Sequence, residues 1–329
     1  MESSPSISIV IPSWNQGRFI RRTLLSILKQ DYPSPVQVIV SDGGSTDETV
    51  SVLKEFADSI IWWSAKDKGF VDAVMKGVAK ATGDILAIQS SDDYYLPGAF
   101  REMAATFSKH PDTAFVSGGE CSIDLSGNII SLSNPSGAIT PETILFKTIP
   151  PQHATFIKRN LFEEIGGLRS DVDMCADIDL WYRASHIRPG IYFEKIAAVY
   201  QLHPDQRTVI SDKWYPNLVK MTELCEQEPR YASQFRLNRE QKNDLFAYWE
   251  MNWTTKRNAQ EGKKVALKQV KNLFSLSRRT NRLLLGILIP PFLKAGLKNL
   301  GSLISDGSAT TNGVKELNIN WCGAPESNA

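Results

Sequence analysis

Gln89-Ser90-Ser91-Asp92-Asp93 sets two adjacent carboxylates directly after the apolar run Ile85-Leu86-Ala87-Ile88. Neighbouring negative charges disfavour each other's ionisation, and a divalent cation shared with an anionic substrate relieves that conflict. The preceding run is strand-like, and in an open α/β sheet ligands bind beyond the carboxyl ends of strands. Asp92 and Asp93 also suit a plain turn into a helix opened by Pro97.

Three further stretches put polar residues after a strand. Ser8-Ile9-Val10-Ile11 runs into Pro12-Ser13-Trp14-Asn15, and Val36 to Val40 runs into Ser41-Asp42-Gly43-Gly44-Ser45-Thr46-Asp47. The strand-like Ile60-Ile61-Trp62-Trp63 precedes Lys66-Asp67-Lys68-Gly69. A carboxylate such as Asp42 can accept hydrogen bonds from a base N–H or a ribose hydroxyl. It can equally shape the Gly-Gly turn, as Asp47 can start the next helix. Asp72 suits support of the helix that follows Gly69.

The elements that must position these groups alternate. Strands are expected near 6–11, 36–41, 60–63, 84–89 and 113–117, with helices near 18–30, 46–56, 70–81 and 97–109. In the first helix Ile20, Leu24, Ile27 and Leu28 recur at the spacing of one buried face. Alternation of this kind predicts an α/β fold with a mostly parallel, doubly wound sheet, which gathers the loops after the strands at one edge. Gly118-Gly119 followed by Asp124 to Asn128 predicts a hairpin. Beyond Thr140 the order is irregular: a loop at Pro150-Pro151-Gln152-His153, a short helix over 161–165, a helix over 177–185 and a strand over 191–200.

Ordered in this way, the motifs resemble those of a family 2 glycosyltransferase of the GT-A fold over roughly residues 6–210. The resemblance implies a nucleotide diphosphate sugar donor, with a UDP-sugar favoured, and a glycan or lipid-linked acceptor. It implies that the backbone of Pro12 and the side chains of Asn15 and Asp42 line the nucleoside pocket, with Asp67 and Lys68 over the nucleotide. Asp93 is expected to ligate Mg2+ or Mn2+, and Asp92 to contact the ribose or phosphate side. The family's DxD motif has Ser91 in its first place here. Met174-Cys175-Ala176-Asp177-Ile178-Asp179 resembles the family's Glu-Asp stretch, which makes Asp177 the base for the acceptor hydroxyl. Ala176 stands where the Glu would be, and Asp171, Asp173 and Asp179 are carboxylates nearby. His203 is expected to return to the metal or diphosphate with Arg207 close by, and His153 to line the acceptor cleft. The implied reaction is a single inverting displacement.

The chain of 329 residues carries a formal net charge of +1, which gives no reason to expect a nucleic-acid partner. Its length allows a GT-A catalytic domain over 1–210, with a nucleotide-sugar half (1–110) and an acceptor half (111–210). A helical basic appendage over 211–304 and a disordered tail over 305–329 complete the expected organisation. Cys121, Cys175, Cys225 and Cys322 form no CxxC pair and read as free thiols of a reducing compartment. No basic stretch followed by an apolar run opens the chain, so a cytoplasmic location is expected. The stretch 255–300 carries eleven Lys or Arg and one Glu, interleaved with apolar residues. It suits either an anionic membrane surface, as fits assembly of bacterial surface polysaccharides, or a helical face packed on the catalytic domain.

Other classes fit less well. A nucleotidyltransferase calls for a Gly-rich basic loop where Pro12 to Arg18 stands. No GxGxxG or GxxxxGK[ST] follows a strand. A catalytically inactive GT-A protein that binds carbohydrate or a partner remains the alternative.

Overall fold

The computed structural model describes residues 4–207 and 214–232, together with Lys242 and Leu245. Four strands, β1 (Ile7–Ser13), β2 (Val36–Asp42), β3 (Ile61–Ser64) and β4 (Ile85–Ile88), pair in parallel in the order β3-β2-β1-β4. Helices α1 (Gly17–Leu28), α2 (Thr49–Glu55) and α3 (Phe70–Val78) connect them. The apolar strand runs have a physical reason: both faces of this sheet are covered. On β1, Ile7, Ile9 and Ile11 pack with α1 residues Ile20, Leu24 and Ile27, while Val10 packs with α3 residues Val71 and Val74. The same period of two divides Ile85 and Ala87 from Leu86 and Ile88 on β4.

Past β4 the sheet becomes mixed, a feature the alternation did not foretell. Strand β5 (Tyr94–Tyr95) and helix α4 (Ala99–Lys109) lead into β6 (Phe115–Ile123). Strands β7 (Ile129–Ser133) and β8 (Gly137–Ile139), helix α5 (Pro141–Phe146), β9 (Thr155–Lys158) and α6 (Arg159–Glu164) follow. Helix α7 (Ala176–Ile187) and β10 (Gly190–Gln201) complete a ten-stranded sheet. Its path continues β4-β9-β6-β10-β5, with β9 antiparallel to both β4 and β6, and β10 parallel to β6. Two reversals restore direction, so β6 and β10 point the same way as β4, and their carboxyl ends share its edge.

The expected hairpin is β6–β7, turned by Asp124, whose Oδ1 accepts the N–H groups of Ser126 (2.9 Å) and Asn128 (2.8 Å). Gly118 and Gly119 lie inside β6 rather than in the turn. Gly118 sits against Phe193 and Ala197 of β10, where a Cβ would come within 2.6 Å.

Helices α8 (Trp214–Gln227) and α9 (Pro229–Ala232) return to the sheet-bearing part of the chain, α8 packing on the 3-10 segment Ser170–Cys175. No helix among the described residues is long and apolar enough to cross a membrane. The basic stretch 255–300, most of the expected appendage and the tail over 305–329 lie outside the described residues.

Candidate active site

The loops after β1 and β2 are stitched together. The N–H of Asn15 donates to Ser45 Oγ (2.7 Å), and the N–H of Thr46 donates to Asn15 Oδ1 (2.9 Å). Asn15 has a φ of 53°, in the left-handed region where Asn is among the residues best tolerated. Asp47 accepts from the N–H groups of Gly17 (3.0 Å) and Thr49 (2.9 Å), tying the starts of α1 and α2 to each other. Those bonds outweigh its partial burial and hold its carboxyl below the usual range.

Asp42 is fully buried. Its oxygens accept from the N–H groups of Gly44 (3.2 Å) and Ser45 (2.9 Å) and from the hydroxyls of Ser45 (2.5 Å) and Ser64 (2.6 Å). In this arrangement its carboxylate organises the loop, and the groups nearer the surface are the half-buried Pro12 and the exposed Asn15. Asp67 lies over the same turn: a Cβ on Gly43 would stand 2.7 Å from Asp67 Oδ2. Lys68 is exposed, its N–H bonded to Asp72 (2.9 Å), and Gly69 turns into α3 at a φ of 106°, which only glycine adopts readily.

The two carboxylates after β4 separate sharply. Thr23 of α1 anchors their turn, its hydroxyl shared between the carbonyls of Ser91 (2.9 Å) and Asp93 (2.6 Å). Asp92 is half-buried and faces His203, with Oδ2 2.9 Å from Nε2. His203 is held by a stacked Phe19 ring, centroids 4.7 Å apart, and its Nδ1 is buried without a partner among the described residues. Asp93 points inward and is 1% exposed. Its Oδ1 accepts the N–H of Gln201 at the end of β10 (2.9 Å), and its Oδ2 lies 3.4 Å from Nδ1 of His153. His153 Nε2 stands 3.0 Å from Glu120 of β6, and its ring lies parallel to Tyr200 at 5.4 Å.

Burial pushes the Asp93 carboxyl up to about 8, His153 pulling against that rise and Asp92 adding to it. Burial alone would lower the His153 imidazole, but Asp93 and Glu120 override it and raise it to about 8.

Asp177 opens α7 half-buried, and burial raises its carboxyl above the usual range, countered by the N–H of Ile178 and by the charges of Arg207 and His153. The charge of His153 thus acts on the carboxyls of both Asp93 and Asp177. Arg207 pairs with Asp173 and lies 5.2 Å over the Phe70 ring, closing the edge between α3 and the segment before α7. Ala176 is buried in the core. Asp179 is structural: it is fully buried between Arg169 and Arg183.

The pair Asp92–His203 fits a divalent cation. Two ligands on adjacent vertices of an octahedron with bonds of about 2.1 Å stand about 3.0 Å apart, close to the 2.9 Å between Oδ2 and Nε2. Among the described residues no cluster of three or more His, Cys, Asp or Glu could chelate a metal. A cation here therefore needs oxygens from a substrate and water, which is the habit of Mg2+ and Mn2+ at phosphate sites.

Residues 8–166 match the profile of glycosyl transferase family 2. The chain carries a family 2 glycosyltransferase domain. An uncharacterized glycosyltransferase of Mycobacterium tuberculosis is 29% identical over 191 residues, which is 56% of this chain and 71% of that protein. One of Rickettsia felis is 25% identical over 211 residues, 61% of this chain but only 35% of the relative's length. Escherichia coli chondroitin synthase is 28% identical over 210 residues, 62% of this chain and 30% of that one. The chain also shares the GT-A fold of solved structures. Staphylococcus aureus TarS in complex with UDP-GlcNAc superposes with a TM-score of 0.59 at 14% identity, covering 85% of this chain and 82% of that one. The Pyrobaculum calidifontis mannosyltransferase PcManGT with GDP-Man and Mn2+ gives 0.56 at 18%, covering 91% and 88%.

His153 and Glu120 carry more of this site than the sequence implied. His153 at least followed a Pro-Pro loop, whereas Glu120 had no signal, being a single charged residue inside β6. Arg22, on the α1 face beside the acidic turn, was likewise silent. Its guanidinium lies 4.2 Å over the Tyr94 ring and donates to Gln201 Oε1 (2.7 Å).

Proposed function

We propose that the chain transfers a glycosyl group from a nucleoside diphosphate sugar, in the first instance a UDP-sugar, to a hydroxyl of a glycan or lipid-linked acceptor. The observation that carries this reading is the meeting of Asp92 and His203, 2.9 Å apart, where the ends of β4 and β10 converge. The nucleotide sugars held by TarS and PcManGT, and the Mn2+ of the latter, support a donor of this class. Pro12, Asn15, Asp67 and Lys68 would line the nucleoside end, with Asp42 bracing the loop beneath. Asp92 and His203 would hold Mg2+ or Mn2+, which supplies positive charge opposite the diphosphate leaving group. Asp177 would take the proton of the acceptor hydroxyl as its oxygen bonds to the anomeric carbon. The bond from that carbon to the diphosphate oxygen breaks on the opposite side, and the nucleoside diphosphate leaves with the electron pair, inverting the centre. Burial makes Asp177 a better proton acceptor than an exposed aspartate.

A role in bacterial surface polysaccharide synthesis at the inner face of the membrane belongs to the same proposal. Flotation with anionic vesicles, comparing the full chain with one ended at Ser211, tests its membrane part. The enzymatic part is tested by a panel of UDP- and GDP-sugars with and without Mn2+, reading nucleoside diphosphate release. Release from one donor, abolished by EDTA, is expected. In Asp177→Asn, calorimetry should still show nucleotide binding while turnover falls at least about a hundredfold. Unchanged turnover in that variant removes Asp177 from the chemistry, and binding without release from any donor favours the inactive GT-A alternative.

A further inference from the structure

Both oxygens of Asp93 are turned inward, 1% of the residue being exposed, and Oδ2 is buried with no hydrogen-bond partner among the described residues. One oxygen is taken by the N–H of Gln201, 108 positions away, and the other faces the His153 imidazole. Both partners are themselves fixed. Gln201 accepts from Arg22 (2.7 Å), donates to the carbonyl of Asp124 (2.7 Å) and receives Gln206 Nε2 on its own carbonyl (2.8 Å). His153 rides on a 3-10 turn (Gln152–Ala154) bound on two sides. Gln152 donates to the carbonyl of Ile88 (3.2 Å), and Thr155 donates to the carbonyl of Pro151 (2.7 Å). Glu120 and Tyr200 then hold the ring from β6 and β10. Asp93 therefore joins the end of β4 to the end of β10, two residues before His203.

We infer that Asp93 and His153 form a positioning latch that sets His203 against Asp92, and that Asp93 is not itself a cation ligand. The inference rests on the proposed donor site and concerns how that site is assembled. In this geometry the adjacent acidic residues have different work: one faces the substrate, and the other holds the chain segment that brings the second donor atom. Outer residues that orient metal ligands ordinarily matter to affinity by about 10–100-fold.

The test is calorimetric binding of UDP with Mn2+ to the full-length chain, with a thermal melt of each variant alongside. Asp92→Asn, which removes a ligand oxygen, should weaken binding at least about thirtyfold. Asp93→Asn keeps an acceptor for the Gln201 N–H and should stay within about fivefold of wild type. Asp93→Ala should lose about tenfold or more at a melting point that still reports a folded protein. His153→Asn places an amide nitrogen near the position of Nδ1 and should bind better than His153→Leu. Loss in Asp93→Asn equal to that in Asp92→Asn, with both folded, overturns the latch and makes Asp93 a ligand. Equal affinity for wild type, Asp93→Ala and His153→Leu also overturns it. No binding of UDP and Mn2+ by wild type removes the donor site and the latch together, whereas tight wild-type binding with the wrong variant order removes the latch alone.

Discussion

Asp177 and Asp179 stand two residues apart on α7, and the same substitution should have opposite consequences at each. Asp179 is fully buried and accepts from Arg169 Nε (3.0 Å) and Arg183 Nε (2.8 Å). Arg183 is itself buried, and it also donates to the carbonyls of Ile165 (2.6 Å) and Gly167 (2.5 Å). Arg169 carries the network outward to Glu228 (2.5 Å) and to Cys225 of α8 (3.2 Å), which ties the C-terminal end of α8 to α7. Neutralising Asp179 leaves a buried guanidinium without its counter-charge, a change that costs about 3–5 kcal/mol. At about 2–4 °C per kcal/mol for a domain of this size, Asp179→Asn should melt about 6–20 °C lower. Asp177 has no such partner among the described residues, and burial already disfavours its charge, so Asp177→Asn should melt at or above the wild-type temperature while losing transfer. Urea denaturation followed by circular dichroism gives both numbers on the same scale. A loss below about 1 kcal/mol for Asp179→Asn, the value of an exposed pair, would refute the assignment of this network as structural.

Other outcomes are equally direct. His186 is buried with neither ring nitrogen bonded among the described residues, and burial lowers it from 6.5 to about 4. The unfolded chain therefore takes up this proton first, so the His186 contribution is intact above pH 6.5 and is lost as pH falls toward 4. His186→Phe should flatten that part of the pH dependence, read as urea midpoints at pH 7 and pH 5. Thr23→Val removes the hydroxyl that holds the carbonyls of Ser91 and Asp93, at a cost of about 1–3 kcal/mol. Its affinity for UDP with Mn2+ should fall, and an unchanged affinity would show that α1 does not set the acidic turn. Phe19→Ala should weaken the same binding by freeing the His203 ring, with little change in melting temperature.

The parallel half of the fold was legible because β1, β2 and β4 are short apolar runs covered on both faces and α1 shows one apolar stripe. β9 was not, since Thr155–Lys158 is only four residues long and follows a Pro-Pro loop that reads as irregular. Its antiparallel entry between β4 and β6 is a tertiary choice with no local signature. At the site, the strand ends pointed to loops that meet at one edge of the sheet but not to which side chain of each faces outward. Asp92 and Asp93 are indistinguishable in sequence; they differ because Gln201 and His153 arrive from distant segments and claim Asp93. Asp42 shows the same limit: a carboxylate at a strand end can serve a ligand or its own loop, and here three donors of that loop and the Ser64 hydroxyl of β3 surround it.

The central claim is that a cation bridges the donor diphosphate between Asp92 and His203, with Asp177 across the gap. Anomalous diffraction from crystals of the full chain grown with UDP and Mn2+ measures this directly. One manganese peak is expected within bonding distance of Asp92 Oδ2 and His203 Nε2, with diphosphate oxygens completing the shell and Asp177 facing the cleft. A peak on Asp93, or manganese bound away from both Asp92 and His203, would contradict it.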